Sequence, residues 1–109
     1  MATGTIKNDL ITIKTQITPS VTLISGNIYA LKSGNSVTVY LSVRVSNGAT
    51  SGSVLANIPS GLRPFSVIDV YSDQNGTQVP LRFDSDGNIT VRAAINTSWL
   101  YAACSYVIE

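Results

Sequence analysis

The sequence predicts an all-β domain, an antiparallel β-sandwich of jelly-roll type with about seven to nine short strands. Three observations carry this expectation. Val37, Val39, Leu41, Val43 and Val45 alternate strictly with Thr38, Tyr40, Ser42 and Arg44, which makes one face of a strand apolar. Clusters of Gly, Asn, Asp and Ser interrupt the apolar runs at short intervals, as turns between strands would. No segment carries a 3.6-residue apolar stripe over three turns, and charged residues are only 12% of the chain, against about 25% in a typical domain.

Taken in order, the first expected strand is Ile6–Ile17, which mixes Leu10, Ile11, Ile13 and Ile17 with Thr and Lys. Pro19 interrupts it, because proline fixes its own φ and lacks an amide donor. Val21–Ile24 and Ile28–Leu31 read as two further runs, closed by Ser25-Gly26-Asn27 and by Lys32-Ser33-Gly34-Asn35. The long strand Val37–Val45 follows, then a loop over Asn47–Ser53. The stretch Val54–Phe65 reads VLANIPSGLRPF. Pro59 and Pro64 bracket a Gly turn and push the residues before them into extended shapes. It reads as an ordered crossing between Val37–Val45 and a strand beginning near Val67. Val67–Tyr71 and Val79–Phe83 come next, joined through Asn75-Gly76, a tight-turn pair. Ile89–Ala93 alternates again, and Trp99–Ile108 supplies the closing strand or strands. The 109 residues suit one domain, with the polar residues 1–8 as an N-terminal arm or the remnant of a linker.

Composition narrows the function classes. The formal net charge is +1, with seven scattered Lys and Arg, so no basic surface for nucleic acid or an anionic membrane is expected. No apolar stretch reaches 18 residues, and Met1–Leu10 lacks the apolar region of a secretory leader. Neither membrane insertion nor a leader is expected. Histidine is absent, which removes the commonest general base and metal ligand and any Ser-His or Cys-His nucleophile. No cofactor, metal site or catalytic residue is expected. Cys104, the single cysteine, reads as a small core hydrophobe.

Several constellations bear on binding. Asp84-Ser85-Asp86-Gly87-Asn88 superficially matches a calcium loop, but residues 89–95 offer no distal carboxylate and no helices flank it. It reads as a hairpin turn. Most of the acids sit in turns, whereas Asp69 lies inside the run Val67–Tyr71, sharing a face with Val67 and Tyr71. It is either a ligand-facing acid or an outward polar position. Trp99 and Tyr101 share a face if extended, the arrangement of a sugar-binding platform, in which a ring covers the apolar C–H side of a pyranose. The other reading packs Trp99 in the core or in a subunit seam. Arg44, Arg63, Arg82 and Arg92 could each clamp a phosphate or carboxylate, or sit exposed on strands. The candidate ligand-binding residues are Trp99, Tyr101, Tyr71 and Asp69. Three Asn-x-Thr/Ser matches, at Asn75, Asn88 and Asn96, read as chance in an Asn- and Thr-rich chain.

Three motifs occur in a fixed order: Ser33-Gly34-Asn35-Ser36-Val37-Thr38-Val39, then Leu55-Ala56-Asn57-Ile58-Pro59-Ser60-Gly61-Leu62-Arg63-Pro64, then Asp86-Gly87-Asn88-Ile89-Thr90-Val91 with Trp99, Tyr101 and Tyr106 behind it. Over about Ile28–Ile108 the chain resembles the C-terminal head domain of tail-fibre and baseplate receptor-binding proteins from phages and prophages of Gram-positive bacteria. The resemblance implies a small β-sandwich head on a trimeric fibre or baseplate, located in the virion tail after synthesis in the bacterial cytoplasm. It also implies a non-enzymatic role in binding a saccharide on the host cell surface, with other tail or baseplate proteins as partners. No sugar-contacting residue carries over by motif. A positive mean hydropathy with few charges fits burial of one face against neighbours around a three-fold axis. Two other readings stand beside this one: a purely structural assembly domain, and a carbohydrate-active enzyme with two facing acids.

Overall fold

The computed structural model describes residues 11–108. Its strands are β1 (Thr12–Ile17), β2 (Leu23–Ser33), β3 (Ser36–Val45), β4 (Val54–Asn57), β5 (Ile68–Gln74), β6 (Thr77–Phe83), β7 (Asn88–Val91) and β8 (Leu100–Val107). All pairings are antiparallel and no helix occurs among the described residues, as the sequence predicts. The expected arm over residues 1–8, and the first part of the expected strand Ile6–Ile17, lie outside the described residues.

The strands form one sheet in the order β1-β2-β3-β8-β5-β6-β7-β4. Its two ends approach each other where Pro19 bridges Ala56 and the Ser20 amide donates to the Leu55 carbonyl at 2.7 Å. The layers of the expected sandwich are therefore portions of one nearly closed sheet. Pro19 suits this closure, since a residue without an amide donor belongs at a strand margin.

Two segments differ from their sequence reading. Ser25-Gly26-Asn27 does not separate two strands; it lies inside β2, with a register shift between Leu23 and Ser25. Gly26 adopts φ 100°, and a Cβ there would lie 2.0 Å from the Ser42 carbonyl oxygen. Glycine thus allows a bulge against β3 where a bulkier residue would break the strand. Val54–Asn57 is a strand in its own right, paired with β7, rather than the lead of a crossing from β3.

The tight turns follow their residues. In the β2–β3 turn, Gly34 takes φ 58° between the paired Ser33 and Ser36, and Asn35 stays at negative φ, a type II′ pattern. At the β5–β6 turn both Asn75 (φ 54°) and Gly76 (φ 79°) are positive, as type I′ requires. In the Asp84–Asn88 turn, Asp84 Oδ1 accepts the amides of Asp86 at 3.0 Å and Asn88 at 3.1 Å. This is a carboxylate turning its own backbone.

Alternation places the core. Val37, Val39, Leu41, Val43 and Val45 are all buried, and the same core contains Ile28, Leu55, Ile58, Leu81, Phe83, Ile89, Val91 and Leu100. Truncating any of the larger ones to alanine would cost about 2–5 kcal/mol. Cys104 is buried among them, as expected. The opposite parity of β2, β3, β5 and β8 turns Tyr29, Tyr40, Tyr71 and Tyr101 outward.

The β4–β5 connection is held from both sides. Ile58 N donates to Gly87 O at 2.7 Å, and Asn57 Nδ2 donates to Asn88 Oδ1 at 2.7 Å. Arg63 turns back to bind the Ile58 carbonyl and the Asn57 side chain. The Tyr106 hydroxyl, projecting from β8, donates to the Leu62 carbonyl. Burial pushes the Tyr106 phenol well above its ordinary range, so it remains a donor.

Candidate functional site

The outward aromatics meet where the sheet is least tightly joined. β5 and β8 pair only at Asp73 and Tyr101. The Ile108 amide donates back toward β3, to Asn35 O at 2.9 Å. By strand alternation, the odd-numbered backbone groups of β8 point toward β5. Tyr71 and Ala103, one step along from the bridged pair, are not themselves paired. The strands part there, and a groove of about 580 Å³ opens. Tyr29, Tyr40, Tyr71, Tyr101 and Ala103 are among its lining residues. Ala103 stands opposite Tyr40 in the β3–β8 ladder, so its short side chain leaves the depth that the tyrosines enclose.

The rings are fixed by their neighbours. Tyr29 and Tyr40 are directly cross-strand and stack at 5.2 Å between centroids, 27° from parallel. The Lys14 ammonium sits 4.5 Å from the Tyr29 ring centre, a cation over a π face. Tyr71 is 68% exposed and Tyr101 49%, so both have a wet face available to a ligand. Large aromatics are mostly covered in small domains, and this set is not.

Trp99 stacks on Tyr101 at 5.9 Å, only 9° from parallel. It is partly buried and stands outside the core cluster, so the shared face expected of Trp99 and Tyr101 is present and the core-plug reading of Trp99 does not hold. Its approach is set by a buried polar side chain. Gln74 Nε2 donates to the carbonyls of Asn96 at 3.2 Å and Ser98 at 3.0 Å, and Gln74 Oε1 accepts the Asn96 amide at 3.1 Å. Arg44 Nε adds a bond to Thr97 O at 3.0 Å. The turn before Trp99 is thereby pinned to β5 and β3. A hollow of about 450 Å³ lies here, bounded by Trp99, Tyr101, Arg44 and Asn75 among others.

A third hollow, of about 310 Å³, flanks Tyr71 on its other side and holds Asp69, Pro80, Arg82 and Arg92. Asp69 faces solvent with Tyr71, as read from the strand pattern. Arg82 grips it with two bonds, Nε to Oδ1 at 2.8 Å and Nη2 to Oδ2 at 3.2 Å. The hydrogen bonds from Arg82 hold the Asp69 carboxyl below its ordinary value, and the same bonds raise the Arg82 guanidinium. A carboxylate held ionised in this way is a poor proton donor.

The three hollows share walls: Tyr101 borders the first and second, and Tyr71 the first and third. They run in series as Trp99, Tyr101, the central groove, Tyr71 and the Arg82–Arg92 hollow. Of the four candidate residues, Tyr71 and Tyr101 lie in the central groove, Trp99 at one shoulder and Asp69 beyond the other. Tyr29, Tyr40 and Gln74 belong to the site but were not among the candidates. The outward parity of Tyr40 in β3 was a usable signal; Gln74 looked like a turn residue. In comparison with known proteins, no family model matches the chain and no curated protein matches its sequence.

Proposed function

We propose that this domain is a non-enzymatic head of a phage or prophage tail fibre or baseplate, binding a saccharide of the host cell surface as part of a homotrimer. The observation that carries the binding role is the pair of exposed rings Tyr101 and Tyr71 around a groove, with Trp99 stacked behind Tyr101 at one shoulder. An aromatic face covers the C–H side of a sugar ring, and a phenol edge answers its hydroxyls. The unpaired stretch between β5 and β8 adds backbone donors and acceptors beside Tyr71 and Ala103, the polar groups that fix orientation in an otherwise apolar site. Three hollows in series suit several consecutive sugar units better than one. The setting in a phage tail, with other tail proteins as partners, rests on the ordered motifs of the sequence.

The test is binding of the full chain to a glycan array and to purified Gram-positive cell walls, with Tyr71→Ala and Tyr101→Ala as comparators. Saturable binding that falls at least tenfold in either variant supports the reading. Equal retention of wild type and both variants on every surface would remove it.

A structural assembly role is favoured by other exposed apolar side chains, among them Ile11, Ile13, Phe65 and Val107. Light scattering separates the two features: a trimer that retains no glycan leaves the assembly role alone.

A further inference from the structure

We infer that the Arg92 end of the site binds the oxyanion of an acidic saccharide, one bearing a carboxylate or a phosphate next to the unit that rests on Tyr71. The inference deepens the saccharide-binding reading and rests on it. Across β5, β6 and β7, Tyr71 stands opposite Pro80, and the Arg92 amide donates to the Pro80 carbonyl at 2.8 Å. The row Tyr71, Pro80, Arg92 therefore runs sideways from β5 over β6 to the residue just past the end of β7. Pro80 presents a flat, low spacer between a ring and a guanidinium. The adjacent row holds Asp69 opposite Arg82 and Arg82 opposite Thr90.

The charges in this hollow do not cancel. Asp69 is occupied by both donors of Arg82. Among the described residues, the Arg92 guanidinium makes no ion pair and no side-chain hydrogen bond. Two cations and one anion line the hollow; Asp84 acts on Arg82 from outside it, so Arg92 is the lining cation without a direct partner, and it faces the hollow of about 310 Å³ that Tyr71 also walls. A guanidinium offers two parallel donors, the fork that matches a carboxylate or phosphate. Asp69 has a second use here: it occupies the donors of Arg82 and leaves Arg92 as the available guanidinium. A neutral sugar would fill the Tyr71 groove and leave Arg92 to water. An acidic one would satisfy both.

The experiment is an NMR titration of the full chain at low salt with four probes: digalacturonate, its neutral counterpart digalactose, glucose 6-phosphate and glucose. The readouts are the Kd and the shift of the Arg92 Nε–Hε signal. The expected result is that at least one acidic probe binds about fivefold tighter than its neutral counterpart, the size of an exposed ion pair. That probe moves the Arg92 signal, and the advantage disappears in Arg92→Gln and in 0.5 M salt. Preference for digalacturonate identifies a carboxylate, and preference for glucose 6-phosphate a phosphate. Equal affinity for acidic and neutral probes, lost in Tyr71→Ala, overturns the Arg92 assignment and leaves saccharide binding intact. An acidic preference that survives Arg92→Gln also overturns it. Absence of binding by all four probes overturns it together with the reading on which it rests. Arg92→Gln is exposed and outside the core, and its unfolding midpoint serves as the control for folding.

Discussion

Arg63 Nε donates to the carbonyl oxygen of Ile58, five residues earlier, at 2.7 Å, while its Nη2 reaches Asn57 Oδ1 at 2.9 Å. The guanidinium thus closes the Pro59–Pro64 connection onto the end of β4. The Ile58 side chain is fully buried, so a displaced carbonyl would pull on the core as well as on the loop. Arg63→Met retains the aliphatic stem and removes both bonds. It should lower stability by about 1.5–3 kcal/mol, the range for hydrogen bonds to a charged group. Arg63→Lys should recover only part of this, because an ammonium cannot reproduce the fork. Urea unfolding monitored by Trp99 fluorescence would show a lower midpoint with an unchanged slope. An unchanged midpoint in Arg63→Met would mean that the prolines alone hold the crossing.

The β2 bulge makes a second prediction, through two glycines with similar φ but different surroundings. Gly26 (φ 100°) has the Ser42 carbonyl oxygen 2.0 Å from where a Cβ would stand, whereas nothing lies within 4 Å of that position at Gly76 (φ 79°). Gly76→Ala incurs only the left-handed backbone cost, about 1–2 kcal/mol. Gly26→Ala adds a collision with the backbone of β3 and should be at least about 2 kcal/mol worse than Gly76→Ala, or should fail to fold. Comparing the two thermal midpoints settles it. Equal midpoints would mean that β2 and β3 can separate at little cost.

Fold class was legible because alternation is a local signal. Val37–Val45 declares its faces residue by residue, and Asn75-Gly76 declares its turn. Gly26 is not legible in the same way, because a glycine in a bulge and a glycine in a turn look alike in sequence; only the approach of Ser42 distinguishes them. The site was legible to a lesser degree, for a similar reason. Trp99 immediately precedes β8 and Tyr101 lies at its start, two residues on, so their shared face could be read from an extended run. Tyr71 joins them only through the bridge between Asp73 and Tyr101, a pairing set by strand order. Tyr29 and Tyr40 are brought in by the β2–β3 register, which nothing local connects to Tyr71.

Gln74 shows how a buried amide can govern a partly buried ring. It is 5% exposed, and its three bonds tie the Asn96–Ser98 turn to the end of β5. Gln74→Leu keeps the volume and leaves two carbonyls and an amide without partners. Stability should fall by about 1–3 kcal/mol, moderated by water reaching the turn. The Trp99 emission should also shift to the red as the turn loosens and the indole leaves Tyr101. If the emission is unchanged, the stack with Tyr101 holds Trp99 without help from the turn.

Cys104 gives stability a pH dependence at the alkaline end. It is buried in the core on β8, and burial pushes its thiol up from 9.0 to about 11. Between those two values the unfolded chain releases the thiol proton while the folded chain keeps it. The native state then binds more protons than the unfolded one, so stability falls as pH rises across the window and is fully present below pH 9. Cys104→Ala removes this titration and should make the fall between pH 9 and 11 shallower, leaving the part that begins near pH 10 from the buried Tyr106 phenol, while losing about 1 kcal/mol at every pH from the smaller side chain. The measurement is the urea midpoint of both proteins at several pH values in that interval, under reducing conditions. Parallel curves would place the alkaline loss on other groups. A thiol reagent at pH 8 should accordingly modify the folded wild-type protein far more slowly than the urea-unfolded chain, because access to the sulfur requires β8 to open.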